Sequence, residues 1–232
     1  MDIVQFRYAA DNLGYLVYCD GSAMAVDGGA VDAMLDFIAG QDLQLKIVAN
    51  THDHPDHTPG NQALLRRTDA VHLTYRQLIR DKAVRLGGQE IGILETPGHT
   101  MDSLCFHAGK YLITGDTLFN GTVGNCFSGD TRAFYNSLKR LMALPADTII
   151  YAGHDYVRES IAIARGIEPE NPAFDSYLAA YDSSHVQSTL GEELAVNPYL
   201  RFNAEPMVRM LRHKGLRVDT EFERFSSTFG LG

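Results

Sequence analysis

The sequence predicts an α+β fold: a layered sandwich in which two runs of short strands are each flanked by helices, followed by a helical C-terminal segment. Three observations predict it. Strand-like apolar runs fall into two groups, one before and one after residue 75 or so, with amphipathic helices interleaved. Several of those runs end in a loop bearing histidine or aspartate. After His154, helix-type spacing replaces strand-type spacing.

Val4 to Tyr8, Tyr15 to Cys19 and Met24 to Asp27 read as strands separated by the turn residues Asp11-Asn12-Leu13-Gly14 and Asp20-Gly21-Ser22. They predict an antiparallel meander. Ala30 to Ile38 places Val31, Met34, Leu35 and Ile38 on one helical face, and Gly40 stops it. Leu45 to Asn50 is a buried strand and Pro59 to Arg67 a helix. Ala70 to Leu73 is a strand candidate and Tyr75 to Asp81 a weak helix, after which Leu86 to Glu95 resumes strand character around Gly87-Gly88. Ser103 to His107, Tyr111 to Thr114 and Thr148 to Tyr151 complete the second group, interrupted by a helix from about Thr131 to Leu144 that carries Phe134, Leu138, Leu141 and Met142 on one side. Arg158 to Ala164, Asn171 to Tyr181, Glu192 to Asn197 and Pro206 to His213 are helical. Thr189-Leu190-Gly191-Glu192 has the form of a capping box, and no further strand is expected. Glycine and proline punctuate Gly166-Ile167-Glu168-Pro169, which divides the chain into residues 1–166 and 167–232.

At 232 residues the chain can bury a large core, as one domain or as a domain with an appendage. A net charge of −9 without an arginine-lysine block argues against nucleic acid. The first residues lack a basic-then-apolar signal segment, and no run approaches the about 20 apolar residues that span a bilayer. A soluble, cytoplasmic protein with no membrane partner is the expectation. Cys19, Cys105 and Cys126 form no CxxC pair, so neither a disulfide framework nor a thiolate zinc knuckle is expected.

The chemistry concentrates in Thr51-His52-Asp53-His54-Pro55-Asp56-His57, a strand-to-helix loop with three imidazoles and two carboxylates. In an extended loop His52 and His54 project to one side, while Asp56 and His57 can turn toward a second position, so two metals could share it. Further ligands must come from similar loops. His99 follows the strand-like Ile91 to Leu94, Asp116 follows Tyr111-Leu112-Ile113, and His154 follows Thr148 to Tyr151, each directly after a glycine. Thr51, Asp53, Thr100 and Asp155 neighbour these positions and are expected to orient imidazoles rather than bind metal. His72, His107, His185 and His213 lack such context and read as structural or surface residues. Arg201, Arg209, Arg212, Lys214 and Arg217 form a local basic run, either a solvated helix face or a hold for an anionic substrate.

With these pieces assembled, His52-x-His54-x-Asp56-His57, His99, Asp116 and His154 in that order resemble the metallo-β-lactamase superfamily. Within it the chain is similar to glyoxalase II, the hydroxyacylglutathione hydrolases. Thr96 to Thr100, Gly115 to Phe119, Tyr151 to Tyr156, Pro169-Glu170-Asn171, Ser188 to Glu193 and Asn197 to Arg201 carry the closer likeness. The resemblance implies a four-layer αββα sandwich with a binuclear centre. His52, His54 and His99 would hold one divalent ion, Asp56, His57 and His154 the other, and Asp116 would bridge them, zinc being the best fit and iron or manganese the alternatives. It implies hydrolysis of a thioester, S-D-lactoylglutathione, to glutathione and D-lactate by water that the metals acidify. Asp116 and Asp56 would be the catalytic carboxylates, and Tyr156 matches a family substrate contact.

Two departures concern the thiol carrier. Asn125 and Phe127 stand where the family commonly presents a basic residue and a tyrosine to glutathione. Phe202-Asn203-Ala204-Glu205 follows Arg201 where the family has a basic pair. Arg201 and the run beyond it are the available substitutes, and a different thiol carrier is the alternative. The competing activity is a persulfide dioxygenase-like enzyme with one iron, which would leave Asp56, His57 and His154 without a ligand role.

Overall fold

A computed structural model describes residues 1–229 and 231. The first sheet runs β1 (Asp2–Tyr8), β2 (Asn12–Cys19), β3 (Ser22–Val26), β4 (Gln44–Ala49) and β5 (Val71–His72), side by side in chain order. The first three strands form the expected antiparallel meander. The next two pair in parallel because helices α1 (Val31–Gly40) and α2 (Asn61–Arg67) return the chain to the same end.

The second sheet is ordered β11 (Ser188–Thr189), β10 (Ile149–Ala152), β9 (Tyr111–Gly115), β8 (Leu104–Ala108), β7 (Gln89–Glu95), β6 (Ala83–Leu86). Here β6 to β9 are antiparallel, and β10 joins β9 in parallel after the crossover through α4 (Thr131–Leu141).

The period-2 alternation of the strands sorts side chains into layers. Leu13, Tyr15, Val17, Met24, Val26, Ile47 and Ala49 point inward and meet Val84, Ile91, Ile93, Leu104, Phe106 and Ile113 of the second sheet. The intervening Leu16, Ala23, Ala25, Leu45 and Val48 point outward, against Met34 and Ile38 of α1 and Leu64 of α2. On the opposite side Cys105, Leu112 and Ile150 pack on Phe134, Leu138 and Leu141 of α4. The result is the αββα order of layers, with helix α3 (Tyr75–Asp81) packing Leu78 into the inter-sheet core. The C-terminal helices α5 (Val157–Ile167), α6 (Ala173–Ala180), α7 (Leu190–Val196), α8 (Glu205–His213) and α9 (Glu221–Thr228) complete the chain. Of these, α5 and α6 extend the inter-sheet core with Ile161 and Phe174, while α9 packs Phe225 in the cluster on α4.

One expectation is corrected, one is refined and one element is added. The strand character of Leu86 to Glu95 resolves into a hairpin, Gly87 and Gly88, at φ +52° and +82°, forming the tight turn between β6 and β7. The C-terminal segment does contain a strand, β11, whose two residues pair with Ile149 and Ile150. A ninth helix, α9, starts at a capping box between Thr220 and Glu223, while the predicted box at Thr189 and Glu192 opens α7 as expected. No helix among the described residues is long and apolar enough to cross a membrane.

Candidate metal centre

All seven candidate ligands lie on loops at the C-terminal ends of β4, β7, β9 and β10. Those ends gather at one rim, where the two sheets are tied together. Leu104 N–H donates to Thr51 O at 2.7 Å, Leu13 N–H to Gly153 O at 2.8 Å, and Asn12 forms an isolated bridge with His154. The loop after β4 turns on itself, His57 N–H donating to His54 O at 3.0 Å, which separates His52 and His54 from Asp56 and His57.

One ligand atom from each of His52, His54, His99 and Asp116 lies within 4.8 Å of the others, and the same holds for Asp56, His57 and His154. Within the first group His54 Nδ1 is 3.0 Å from His52 Nε2 and 3.1 Å from His99 Nε2. In the second, His57 Nε2 is 3.3 Å from His154 Nε2, which is 3.2 Å from Asp56 Oδ2. Zinc–nitrogen bonds of about 2.0–2.1 Å in tetrahedral array hold nitrogens about 3.3 Å apart, so the donors are spaced for an ion. Asp116 stands between the groups, with Oδ1 3.3 Å from His57 Nε2 and Oδ2 3.5 Å from His99 Nε2. Its Oδ1 is buried and has no hydrogen-bond partner. A buried acceptor left in that state is unfavourable without a cation or a further donor, and the residues present fit divalent metal.

Close backbone approach makes the convergence possible. A Cβ on Gly153 would fall 2.2 Å from Asp116 Oδ1, so only glycine lets the loop before His154 pass the carboxylate.

The second faces of the imidazoles are also held. His57 Nδ1 lies 2.9 Å from Asp27 Oδ2, and Asp27 also accepts from Thr51 N–H at 2.9 Å and Thr51 Oγ1 at 2.7 Å. His154 Nδ1 is 2.9 Å from Asp11 Oδ1, His99 Nδ1 2.9 Å from Asn125 O, and Asn12 Nδ2 donates to Asp56 Oδ2 at 3.0 Å. Asp11, Asn12 and Asp27 escaped the sequence reading. The signal at Asp27 was the same as at the ligands, an apolar strand ending in a polar residue beside glycine. Of the four expected orienting residues, Thr51 touches an imidazole, its Oγ1 lying 3.1 Å from His52 Nδ1. The others bond elsewhere: Asp53 N–H donates to Asp102, Thr100 pairs with Ser103, and Asp155 accepts from Arg7 and Tyr181.

Burial pushes His52 down to about 4, and His99 is lowered for the same reason, so both stay neutral and ready to ligate. Burial would raise Asp116, but the imidazoles of His57, His154 and His52 hold it at about 2. His57 goes the other way: burial opposes its charge, yet Asp27 and Asp116 raise it from 6.5 to about 11. In the metal-free chain His57 is therefore protonated at neutral pH, and a cation binding at its Nε2 would have to displace that proton. Affinity at this position is expected to rise about tenfold per pH unit between 6.5 and 8.5, measured by competition with a chelating dye; a flat profile would remove the His57 proton from the binding step. The raised His57 value also stabilises the metal-free fold, fully below pH 6.5 and progressively less as pH climbs toward 11.

Around the opening, the Tyr156 ring stacks on His154 at 5.1 Å and 6°, and Phe127, 67% exposed, lies 5.2 Å from the His99 ring and 5.9 Å from that of His54. Asn125 is exposed. Arg201 is held by Glu168 through Nε and Nη2 at 2.7 and 3.0 Å, and Arg209 and Arg217 pair with Glu205 and Glu223. These contacts put much of the basic run in local ion pairs.

Comparison with known proteins places the chain in a family. The metallo-beta-lactamase superfamily model matches residues 15–82 and 76–154, and the hydroxyacylglutathione hydrolase C-terminus model matches 155–226. A hydroxyacylglutathione hydrolase of Chromohalobacter salexigens is 31% identical over 240 residues, covering 95% of this chain and 94% of its own. One from Aeromonas salmonicida is 32% identical over 208 residues, covering 82% of each. Among solved structures, ETHE1 from Myxococcus xanthus superposes with a TM-score of 0.70 at 26% identity, covering 98% of this chain and 100% of its own. The BLEG-1 B3 metallo-beta-lactamase shares the fold, with a TM-score of 0.66 at 19% identity over 86% of this chain and 99% of its own. The chain thus belongs to the metallo-β-lactamase superfamily and, within it, to the hydroxyacylglutathione hydrolase family.

Proposed function

We propose that the protein is a glyoxalase II, hydrolysing S-D-lactoylglutathione and related 2-hydroxyacyl thioesters to glutathione and a 2-hydroxy acid. The observation that carries this reading is the pair of adjoining donor groups sharing Asp116. In it, His52, His54, His99 and Asp116 hold one divalent ion, Asp56, His57, His154 and Asp116 the other, and zinc suits so imidazole-rich a set. Residues 1–166 carry the centre, and 167–232 form the helical, substrate-binding part.

When bound, the ions supply a water acidified toward neutrality and positive charge for the developing oxyanion. The protein's own groups do the rest. Asp116, with Oδ1 toward His57 and Oδ2 toward His99, would hold the two ions close together. Asp56, kept anionic by the Asn12 amide and neighbouring imidazoles against the effect of burial, keeps its lone pairs turned to the second position. Phe127 and Tyr156 flank the opening and shield the acyl group from bulk water. The water, having lost a proton to solvent, bonds through oxygen to the acyl carbon, and the carbon–sulfur bond breaks with its electron pair going to sulfur. The thiolate, whose thiol pKa is about 8.5, leaves without a dedicated acid as the new carboxylic acid gives its proton to solvent.

A hollow of about 450 Å³ beside the second group is lined by Arg7, Asp11, Asp155, Tyr156, Arg158 and Tyr181. Arg7 in it is paired with Asp155, and Glu159 completes the charged lining, so what supports a place for the thiol carrier on this side is the Tyr156 ring stacked on His154. Metal-loaded protein is expected to release free thiol from S-D-lactoylglutathione and to carry about two ions per chain. Absence of thiol release at full metal occupancy sinks the reading, and release from coenzyme A thioesters alone reassigns the carrier. The dioxygenase reading predicts instead one iron per chain and oxygen consumption.

A further inference from the structure

Two C-terminal motifs, Ser188 to Glu193 and Asn197-Pro198-Tyr199, have no part in the chemistry above, yet Ser188, Glu193 and Asn197 are buried to 6%, 0% and 0% exposure. A carboxylate with no water around it is strongly unfavourable unless donors surround it. Glu193 has four: Tyr177 OH and Ser188 Oγ donate to Oε1 at 2.5 and 2.6 Å, and Gly121 N–H and Asn197 Nδ2 to Oε2 at 2.8 and 3.1 Å. Two further bonds run to the same neighbourhood: Asn197 Nδ2 donates to Thr122 O at 2.8 Å and Asn120 Nδ2 to Ser188 Oγ at 2.6 Å. Three consecutive residues, Asn120, Gly121 and Thr122, are thus fastened to the helical segment.

Those residues are the tip of a short hairpin, closed by the bridge between Leu118 and Val123, that touches both donor groups. Its first arm starts from Asp116. Just before the tip, the Phe119 ring lies edge-on to that of His154, centroids 5.9 Å apart. Its second arm runs to Asn125, whose carbonyl orients His99, and passes so close that a Cβ on Gly124 would lie 2.0 Å from Asp116 O and 2.9 Å from His99 Nδ1. Because the arms are cross-linked and tightly packed, a shift at the tip reaches Asp116, His99 and His154 together.

We infer that Glu193 is a positioning residue: with Ser188 and Asn197 it buckles the 118–125 hairpin and thereby sets Asp116, His99 and His154 for metal and substrate. This rests on the metal-ligand reading proposed above. Misplacement of a reacting group by about 1 Å costs about 10²-fold in rate, and loss of a group that orients a ligand costs about 10–100-fold in metal affinity.

The test uses E193Q, which keeps the volume but turns one acceptor into a donor facing other donors, and N120A, which frees the tip without altering the buried carboxylate. Metal affinity is read by chelator competition without substrate, then kcat and KM by thiol release, with thermal midpoints alongside. E193Q is expected to lose about 10–100-fold in metal affinity and a similar factor in kcat, with KM near wild type, and N120A to move the same way by less. A merely structural Glu193 would lower the thermal midpoint while leaving metal affinity and kcat of the folded protein intact, and that outcome overturns the inference. If E193Q does not fold, wild-type metal affinity and kcat in folded N120A and S188A overturn it equally. Failure of the wild type itself to bind two ions or release thiol would instead strike the proposed function.

Discussion

Asp116→Ala is expected to lose about 10³-fold or more in kcat and much of the bound metal, because both donor groups lose the one anion they share. Such a loss corresponds to several kcal/mol of charge stabilisation removed at once. The carboxylate has 8% exposure and sits 3.3 Å from His57 and 3.5 Å from His99, one oxygen toward each donor group. Thiol-release kinetics with elemental analysis measures both effects. Activity near wild type, with two ions retained, would remove Asp116 from the bridging role.

The second large effect is expected at a residue that touches no ion. Asp27 is fully buried, in a left-handed conformation at φ +51°, and gathers Thr51 N–H, Thr51 Oγ1 and the His57 ring. Asp27→Ala strands a protonated His57 and a backbone N–H in the core. Removing one partner of a buried ion pair costs about 3–5 kcal/mol, so denaturant unfolding of the metal-free variant should shift by that order. Metal affinity at the second position should fall about 10–100-fold as the imidazole loses its support. The stability difference between variant and wild type should narrow as pH rises from 6.5 toward 11, since the His57 charge that Asp27 stabilises is then lost from both. An unchanged unfolding midpoint would show that Thr51 and His57 find other partners.

The contrast between these two aspartates shows what was legible in the sequence. Asp116 was legible because metal ligation demands several donors, and donors on successive strand-end loops leave a repeated pattern. Asp27 carries the same pattern once, with no histidine beside it, and so looks like an ordinary turn before two glycines. Asp11 and Asn12 were hidden in a segment whose composition is that of a turn. In the fold, the first sheet was readable because strands such as β2 and β3 are near-continuous apolar runs of five to eight residues, as strands covered on both faces are. Strand β11 was not, since two residues carry no period. Helix α9 holds its capping box and Phe222 and Phe225 in a polar stretch, where helical spacing is visible only once α4 is known to receive those rings. Arg201 illustrates the limit for charge. An arginine in a basic run reads as a free cation until its pairing with Glu168, 33 residues earlier in the chain, is seen.

The donors sit on four loops, from His52 to His154, and His154 reaches the rim only after β10 has paired with β9 across the α4 crossover. A nascent chain therefore has no complete set of donors until it has been synthesised through His154 and β10 has found β9. On the proposed ligand set, a metal would therefore act as a late lock on an assembled scaffold, drawing its affinity from the native state. Premature capture by the His52 to His57 loop would offer only part of the coordination, so incomplete chains should hold metal weakly and surrender it readily.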